Sequence, residues 1–369
     1  MQPLRAPFPY FGGKSRIAAK VWERLGADVT NYVEPFFGSG AVLLARPGWT
    51  QDVTWTETIN DKSGFVANFW RAVQHDPEAV AHFADWPVNE NDLHARHAWL
   101  VQNHLDTLPQ RLEGDPDFYD AKIAGWWVWG ACCWIGSGWC SGRGPWQAVE
   151  TEDGRQLVHL GDAGMGVNRQ LVHLGDAGRG VNRQLVHLGN AGMGVNRQLA
   201  HLGSTGAGVN GKGNLDAWIA GLSARLRRVR VACGDWTRIT TPSVTERHGT
   251  TGVFLDPPYA AEAGRAADIY EQDDLTVAHD VRAWAIAHGD DPNYRIALCG
   301  YDTEHGAHMP ADWTPVNWKS RGGYGSQSNG AGRANRHRET IWFSPHCLEP
   351  DRPLIQSLFD DFYRAEATP

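Results

Sequence analysis

Short apolar stretches suited to buried strands recur along the chain and alternate with helical patterns. One strand-like stretch lies at the start of the segment 31–45. The others cover 53–60, 228–235, 251–256, 294–300 and 339–344. Between them, the segments 63–73 and 272–288 repeat apolar residues every three or four positions, as one face of a helix does. Strands that alternate with helices predict an α/β fold with a doubly wound, mostly parallel sheet, whose ligands bind at the carboxyl ends of the strands.

A long segment, 85–214, interrupts this alternation. After Pro87 the pattern becomes helical and rich in tryptophan up to about Gly136. We therefore predict one domain formed by 1–84 and 215–348, a large helical insertion at 85–214, and a helix or tail at 349–369.

One part of the insertion has the length of a membrane span. Twenty consecutive residues without a charge occupy 123–142. The Gly-Ser-Gly at 136–138 divides the segment and leaves about 13 apolar residues, which is the length of a buried helix. We expect a buried helix here rather than a membrane span.

The insertion also contains a 14-residue repeat in four copies, at 155–168, 169–182, 183–196 and 197–210. Three glycines in a copy such as the first disfavour a helix, whereas VNRQLVHL followed by a glycine-rich turn suits a strand and a loop. Each copy has a single histidine, which is a weak basis for a metal site, and we expect none. Near-identical copies indicate recent duplication of a tolerated surface segment.

Composition and charge bear on partners and location. The net charge is −8, so any contact with nucleic acid must come from a local basic patch. The segment 319–338 is such a patch, with five glycines and no acid; its basic residues are Lys319, Arg321, Arg333, Arg336 and Arg338. It suits phosphate binding, and the alternative is a solvated loop. The six cysteines form no C-x-x-C pair and the first ten residues lack the apolar core of a signal peptide, which favours the cytoplasm.

Acids and glycines follow the predicted strands. EPFFGSGAV at 34–42 has Gly38 and Gly40 where a strand meets a helix, which allows close approach of a ligand to free N–H groups. Asp61 ends the next strand at the spacing of a ribose-binding acid, although an N-cap role for the following helix is compatible. Asp235 closes a later strand beside Trp236. These residues describe a nucleoside pocket.

The stretch VFLDPPYA at 253–260 ends a buried strand with two prolines. Proline cannot continue a sheet ladder and forces the preceding Asp256 into an extended conformation. We expect the carboxylate of Asp256 and the carbonyl of Pro257 to be rigid acceptors with no local donor, beside the ring of Tyr259. This combination suits a planar ligand with an exocyclic amine.

Together these motifs resemble the DNA adenine N6-methyltransferases of the Dam type. PYFGGK at 9–14 resembles the amino-terminal motif, EPFFGSGAV the S-adenosylmethionine motif, IND at 59–61 the ribose-binding acid, CGDW at 233–236 the cofactor-adenine acid and DPPY at 256–259 the catalytic motif. ETIWF at 339–343 resembles a late strand of the same Rossmann-like fold. The repeat and the tryptophan-rich insertion depart from the family pattern.

The resemblance implies roles for individual residues. It implies that Glu34, Gly38 and Gly40 contact the methionyl part of S-adenosylmethionine, with Tyr10 and Lys14 closing that end, that Asp61 holds the ribose and that Asp235 holds the adenine. The whole implied cofactor set is Tyr10, Gly13, Lys14, Glu34, Pro35, Phe36, Gly38, Gly40, Asp61, Asp235 and Trp236. The implied catalytic set is Asp256, Pro257, Pro258 and Tyr259.

The resemblance also implies a partner and an activity. The expected reaction methylates N6 of an adenine flipped out of double-stranded DNA, with the insertion 85–214 as the target-recognition region. We expect a monomer or weak dimer in the cytoplasm of a bacterial or phage-infected cell. The alternatives are an RNA or N4-cytosine methyltransferase, and a catalytically decayed DNA-binding protein on the same scaffold.

Overall fold

The computed structural model describes residues 4–10, 12–134, 139–141, 146–151, 154–159, 212–258, 277–318 and 339–350. Several predicted features lie outside the described residues: Tyr259, the basic segment 319–338, the repeats beyond their first five residues and nearly all of 349–369.

Seven of the described strands form one sheet. In chain order its strands are β1 (Asn31–Glu34), β2 (Thr56–Asp61), β5 (Val229–Cys233), β6 (Thr251–Leu255), β7 (Tyr294–Tyr301), β8 (Thr314–Asn317) and β9 (Glu339–Phe343). Their order across the sheet is β5-β2-β1-β6-β7-β9-β8. A separate hairpin pairs β3 (Trp146–Thr151) with β4 (Gly154–His159).

The first five strands across the sheet are parallel, and β9 runs antiparallel to both of its neighbours. The predicted α/β fold with a mostly parallel sheet is therefore confirmed. After β1, the strands β2 and β5 are added on one side of β1. The chain then crosses to the other side of β1, where it adds β6 and β7. The strand order thus reverses between β1 and β6, where ligands of such sheets bind.

The described helices surround the sheet. They are α1 (Ala18–Leu25), α2 (Ala41–Leu44), α3 (Gly64–His75), α4 (Pro77–Ala84), α5 (Glu90–His104), α6 (Thr107–Gly114), α7 (Ala121–Cys133), α8 (Lys212–Leu226), α9 (Pro242–Thr245), α10 (Val277–Gly289) and α11 (Asp302–His305). Short 3₁₀ helices cover Trp236–Ile239 and Gly306–His308.

Polar caps start the helices around the insertion. Asp76 accepts from the backbone N–H of Ala79 ahead of α4, which begins with a proline. Asn89 and Asp120 cap α5 and α7 in the same way. Residues 123–133 of the charge-free segment lie in α7, a mostly buried helix of 13 residues. Within the described ranges, no helix combines the length and apolar character needed to cross a membrane.

The helices of the insertion share a core with the rest of the chain. α7 packs against α3, α4 and α5, and its Trp127 contacts Phe8 edge to face at a centroid separation of 4.9 Å. Side chains from α3 and α7 belong to one continuous hydrophobic cluster, in which Trp70 and Trp129 are fully buried. The helical part of 85–214 is thus packed on the sheet domain by extensive apolar contact.

The first repeat copy begins within β4, because its residues 155–159 pair with β3. An extended conformation agrees with the strand predicted for this part of a copy. The remaining residues of the repeat lie outside the described part of the chain.

Candidate active site

Four acids lie at or just beyond the carboxyl ends of four adjacent parallel strands. In the order of the sheet they are Asp235 after β5, Asp61 at the end of β2, Glu34 at the end of β1 and Asp256 after β6. Because parallel strands end at one edge, residues far apart in sequence meet there. The fold therefore brings the described members of the predicted nucleoside pocket and of the predicted catalytic motif to the same edge.

A glycine turn stands at the centre of this edge and is tied to Asp61. Gly38 and Gly40 have φ angles of 49° and 71°, in the left-handed region that favours glycine. The N–H of Gly38 donates to Oδ2 of Asp61 at 2.8 Å, and the N–H of Ser63 donates to Oδ1 at 2.9 Å. Burial raises the pKa of Asp61 to about 6, and the two N–H groups limit that rise. The N-cap of α3 is Ser63.

Two aromatic side chains hold the glycine turn, and one side-chain amide joins the loops on either side of it. A Cβ on Gly38 would lie 2.6 Å from the ring of Tyr10, so that ring packs directly on the glycine backbone. The indole N–H of Trp70 donates to the carbonyl of Gly38 at 2.9 Å. The side-chain amide of Asn60 donates to the carbonyls of Pro35 and Gly234, at 3.1 and 2.9 Å.

The sequence motifs did not single out Trp70 or Asn60 as site residues. Asn60 carried a usable signal, since it is a polar residue inside a buried strand directly before Asp61. Trp70 looked like a core residue of an amphipathic helix. Its hydrogen bond to the glycine turn is a tertiary contact.

Glu34 is a buried acid, 2% exposed, at the end of β1. The hydroxyl of Tyr32 donates to its Oε2 at 2.8 Å, and the backbone N–H of Leu43 also donates to it. Burial raises the pKa of Glu34 well above its usual range, and the charge of Asp256 adds to that rise. A carboxyl in this environment is suited to a cationic ligand group, which would stabilise its ionised form.

Asp235 and Trp236 lie at the outer end of the row. Asp235 is exposed, and its Oδ1 accepts from the backbone N–H of Thr237 at 3.0 Å and from its hydroxyl at 2.6 Å. It thereby caps the 3₁₀ helix that begins with Trp236. The ring of Trp236 stacks on Phe36 with centroids 6.4 Å apart. These two rings bring the loop after β1 next to the loop after β5.

Asp256 is paired with a lysine from the N-terminal segment. Nζ of Lys14 lies 2.8 Å from its Oδ2, while the Asp256 side chain remains 19% exposed. The fold thus supplies Asp256 with a donor that is distant in sequence. Burial alone would lower the pKa of Lys14, whereas the charges of Asp256 and Glu339 raise it, so the ammonium stays charged. Pro257 is buried and Pro258 is half-buried.

No sequence among the curated proteins matches the chain. Residues 10–102 match the family model described as D12 class N6 adenine-specific DNA methyltransferase. The matched range contains Tyr10, Lys14, the glycine turn and Asp61, and it ends before Asp235 and Asp256. This match supports the methylation of adenine in DNA as the general activity, and the chain resembles, as its motifs predict, the DNA adenine N6-methyltransferases of the Dam type.

Proposed function

We propose that the chain transfers a methyl group from S-adenosylmethionine to N6 of an adenine flipped out of double-stranded DNA. The observation that carries this proposal is the row Asp235, Asp61, Glu34 and Asp256 along the carboxyl edge of the sheet, with the glycine turn beside its centre. The family match supports the general activity, while the donor, the flipped base and the residue roles are inferred from the site.

The first three acids of the row fit the parts of S-adenosylmethionine. Glu34 is suited to the ammonium of the methionyl part. The resemblance assigns Tyr10, Gly13 and Lys14 to the same end of the cofactor. Asp61 is suited to the ribose hydroxyls, because each carboxylate oxygen keeps a second lone pair beside its backbone hydrogen bond. Asp235 is suited to the adenine amine, with the rings of Phe36 and Trp236 as flat surfaces. The bound cofactor supplies an activated methyl group on a sulfonium sulfur.

Asp256 and Pro257 activate the target amine. The amine of adenine is a poor nucleophile because its lone pair is delocalised into the ring. The Asp256 carboxylate and the Pro257 carbonyl accept its two N–H groups, draw them out of the ring plane and localise the lone pair toward the methyl group. As the new N–C bond forms and the S–C bond breaks, the amine releases one proton, for which Asp256 is the nearest acceptor. Positioning and electrostatic stabilisation supply most of the rate.

Contacts with DNA complete the proposal. Tyr259 follows the two prolines in sequence and is proposed to stack on the flipped base. Lys319, Arg321, Arg333, Arg336 and Arg338 are proposed to bind phosphates, which gives affinity without sequence choice. We assign catalysis to 1–84 with 215–348 and target recognition to 85–214. We propose a monomer or weak dimer acting in the cytoplasm of a bacterial or phage-infected cell.

The test is identification of the methylated product. The full chain is incubated with methyl-labelled S-adenosylmethionine and with duplex DNA or RNA, and the nucleosides are separated by mass spectrometry. We expect N6-methyldeoxyadenosine from duplex DNA. Label in N4-methyldeoxycytidine, label in RNA alone, or DNA binding without any label would each contradict the proposal and support one of the alternative activities.

A further inference from the structure

Lys14 is a buried cation inside the catalytic end of the site. It is 3% exposed, and its Nζ lies 2.8 Å from Oδ2 of Asp256. The same Nζ donates to the carbonyl of Gly12 at 2.7 Å and lies 5.8 Å from the ring centroid of Trp318. A backbone carbonyl and an aromatic face therefore restrain the ammonium in addition to the carboxylate.

The last strand of the sheet supports this arrangement. Glu339 opens β9 opposite Tyr301 of β7 and is 7% exposed. Its backbone carbonyl accepts from the N–H of Trp318 at 3.1 Å, so the tryptophan near Lys14 is anchored to the start of β9. The negative charge of Glu339 acts on Lys14 in the same direction as that of Asp256. No sequence motif predicted a role in the site for Glu339.

This geometry bears on how Asp256 meets its substrate. A carboxylate after a strand rotates about its side-chain bonds unless a partner holds it, and a reacting group that is displaced by about 1 Å can lose about 100-fold in rate. Lys14 binds one oxygen of this carboxylate, Oδ2. The ion pair thus restrains the orientation in which Asp256 would meet an incoming amine.

We propose that Lys14 is a positioning residue of the methyl-transfer reaction, which holds Asp256 through Oδ2 in the orientation in which its carboxylate and the Pro257 carbonyl accept from the adenine amine. Glu339 and Trp318 keep the ammonium in place. The inference rests on the proposed function and assigns to Lys14 a role toward the target base, whereas the sequence resemblance implies a role toward the cofactor.

The first test is Lys14→Met, with Lys20→Met in α1 as the matched control. We expect the single-turnover rate on duplex DNA to fall by about 100-fold, while the dissociation constants of S-adenosylmethionine and of DNA stay within about threefold. The control should leave all three quantities unchanged. An unchanged rate for Lys14→Met, or a loss of cofactor affinity as large as the loss of rate, would overturn the proposal.

If Lys14→Met does not fold, Lys14→Arg provides the same test, because this variant keeps the buried positive charge. Since a planar guanidinium cannot reproduce a single Nζ contact, we expect a rate about tenfold below wild type with unchanged affinities. A wild-type rate or a matching loss of cofactor affinity would again overturn the proposal.

A double-variant comparison shows whether Lys14 acts through Asp256. In an Asp256→Asn background, adding Lys14→Met should lower the residual rate by less than about threefold, because the two residues work as one unit. An equal fall in both backgrounds would show that Lys14 acts independently. Wild-type activity is measured first: an inactive wild type rejects the proposed function itself, whereas an active wild type with an unaffected Lys14→Met rejects this inference alone.

Discussion

At the scale of single residues, the four acids at the strand ends have different environments and therefore suit different roles in binding. Glu34 and Asp61 are buried and hydrogen-bonded, Asp256 is ion-paired and partly exposed, and Asp235 is exposed. Burial gives the first two acids a strong preference for a polar or cationic partner. Asp256 keeps access to solvent, which the proposed contact with the target amine requires.

The first prediction concerns Asp256. Asp256→Ala should lower methyl transfer by at least about 100-fold, because it removes an acceptor that polarises the reacting amine. Because the change also leaves the buried Lys14 ammonium without this partner, we expect a lower stability but a retained fold, which thermal unfolding checks. Asp52→Ala, an exposed acid before β2, is the control and should keep wild-type activity. Activity of Asp256→Ala within tenfold of wild type would place catalysis elsewhere.

The second prediction concerns the pH dependence of stability and Asp61. Its folded-state pKa of about 6 lies above the ordinary value of 3.8. The folded state therefore binds the proton more tightly, and this group makes the protein less stable as pH rises from about 4 to about 6. Compared with Asp61→Asn, the wild type should lose on the order of 3 kcal/mol across that window. Urea unfolding of both proteins from pH 4 to 7 measures the difference; a difference independent of pH would contradict the assignment.

At the scale of elements, the site depends on how a strand passes into a helix. Gly38 and Gly40 adopt positive φ angles between β1 and α2, and the turn is held by Asp61, Trp70 and Tyr10. A larger residue at Gly38 would strain the backbone and collide with the Tyr10 ring. The turn is therefore both a local conformation and a packing surface.

The third prediction separates these two effects. Gly38→Ala and Gly48→Ala share a left-handed backbone, with φ of 49° and 71°, but a Cβ at Gly48 has open space around it. We expect Gly48→Ala to cost about 1 kcal/mol of folding free energy, and Gly38→Ala to cost more and to weaken binding of S-adenosylmethionine. Thermal unfolding and calorimetry measure both. Equal behaviour of the two variants would show that the Tyr10 contact has no role.

The fourth prediction concerns the repeat. Deletion of the two whole copies at 169–196 should preserve the methylation rate and the methylated sequence, because the copies are interpreted as a tolerated surface segment. Loop-closure entropy grows slowly with length, so stability should change by only about 1 kcal/mol. Sequencing with methylation detection and salt-dependent DNA binding give the readout. Loss of the target sequence would mean that the repeat belongs to the recognition surface.

At the scale of the whole molecule, a buried charge cluster joins the parts of the chain before and after the insertion. Glu57 of β2 accepts from Arg225 of α8 at 2.6 and 2.8 Å and from Arg46 at 3.0 Å. All three side chains are buried. One carboxylate compensates the charges of two buried guanidinium groups, so its removal should lower the stability of the fold.

The fifth prediction follows from that cluster. Glu57→Gln should lower the free energy of unfolding by about 3 to 5 kcal/mol, because it leaves buried cations without a compensating charge. Asp28→Asn is the control: Asp28 pairs with Arg295 but is 62% exposed, and its loss should cost less than about 1 kcal/mol. Urea unfolding compares the two. A similar cost for both variants would show that burial adds nothing to the cluster.

Much of the sheet could be predicted from the sequence, because the apolar pattern that marks a strand lies within a few consecutive residues. β5, β6 and β9 fall within the predicted stretches, and β2 and β7 each extend one residue beyond theirs, because the strands of a buried sheet carry apolar residues close together in sequence. The strand β8 was not predicted: Thr314–Asn317 is short, contains a proline and lies at the sheet edge, where pattern is weak and proline is tolerated. Helix α4 was also not predicted, although Asp76 as N-cap and Pro77 as first helical residue are a sequence signal for a helix start.

The sequence by itself determined the kinds of residue that end each strand, because glycine turns, Pro-Pro pairs and strand-end acids leave local signatures. The tertiary structure decided which of them meet. Strand register and strand order place Asp256 beside Lys14 and Glu339 near the Lys14–Asp256 ion pair. They also bring Asp61 to the position where it accepts from the N–H of Gly38. These contacts join residues that are distant in the chain, so they depend on the packing of the whole sheet, and no local pattern of residues encodes them.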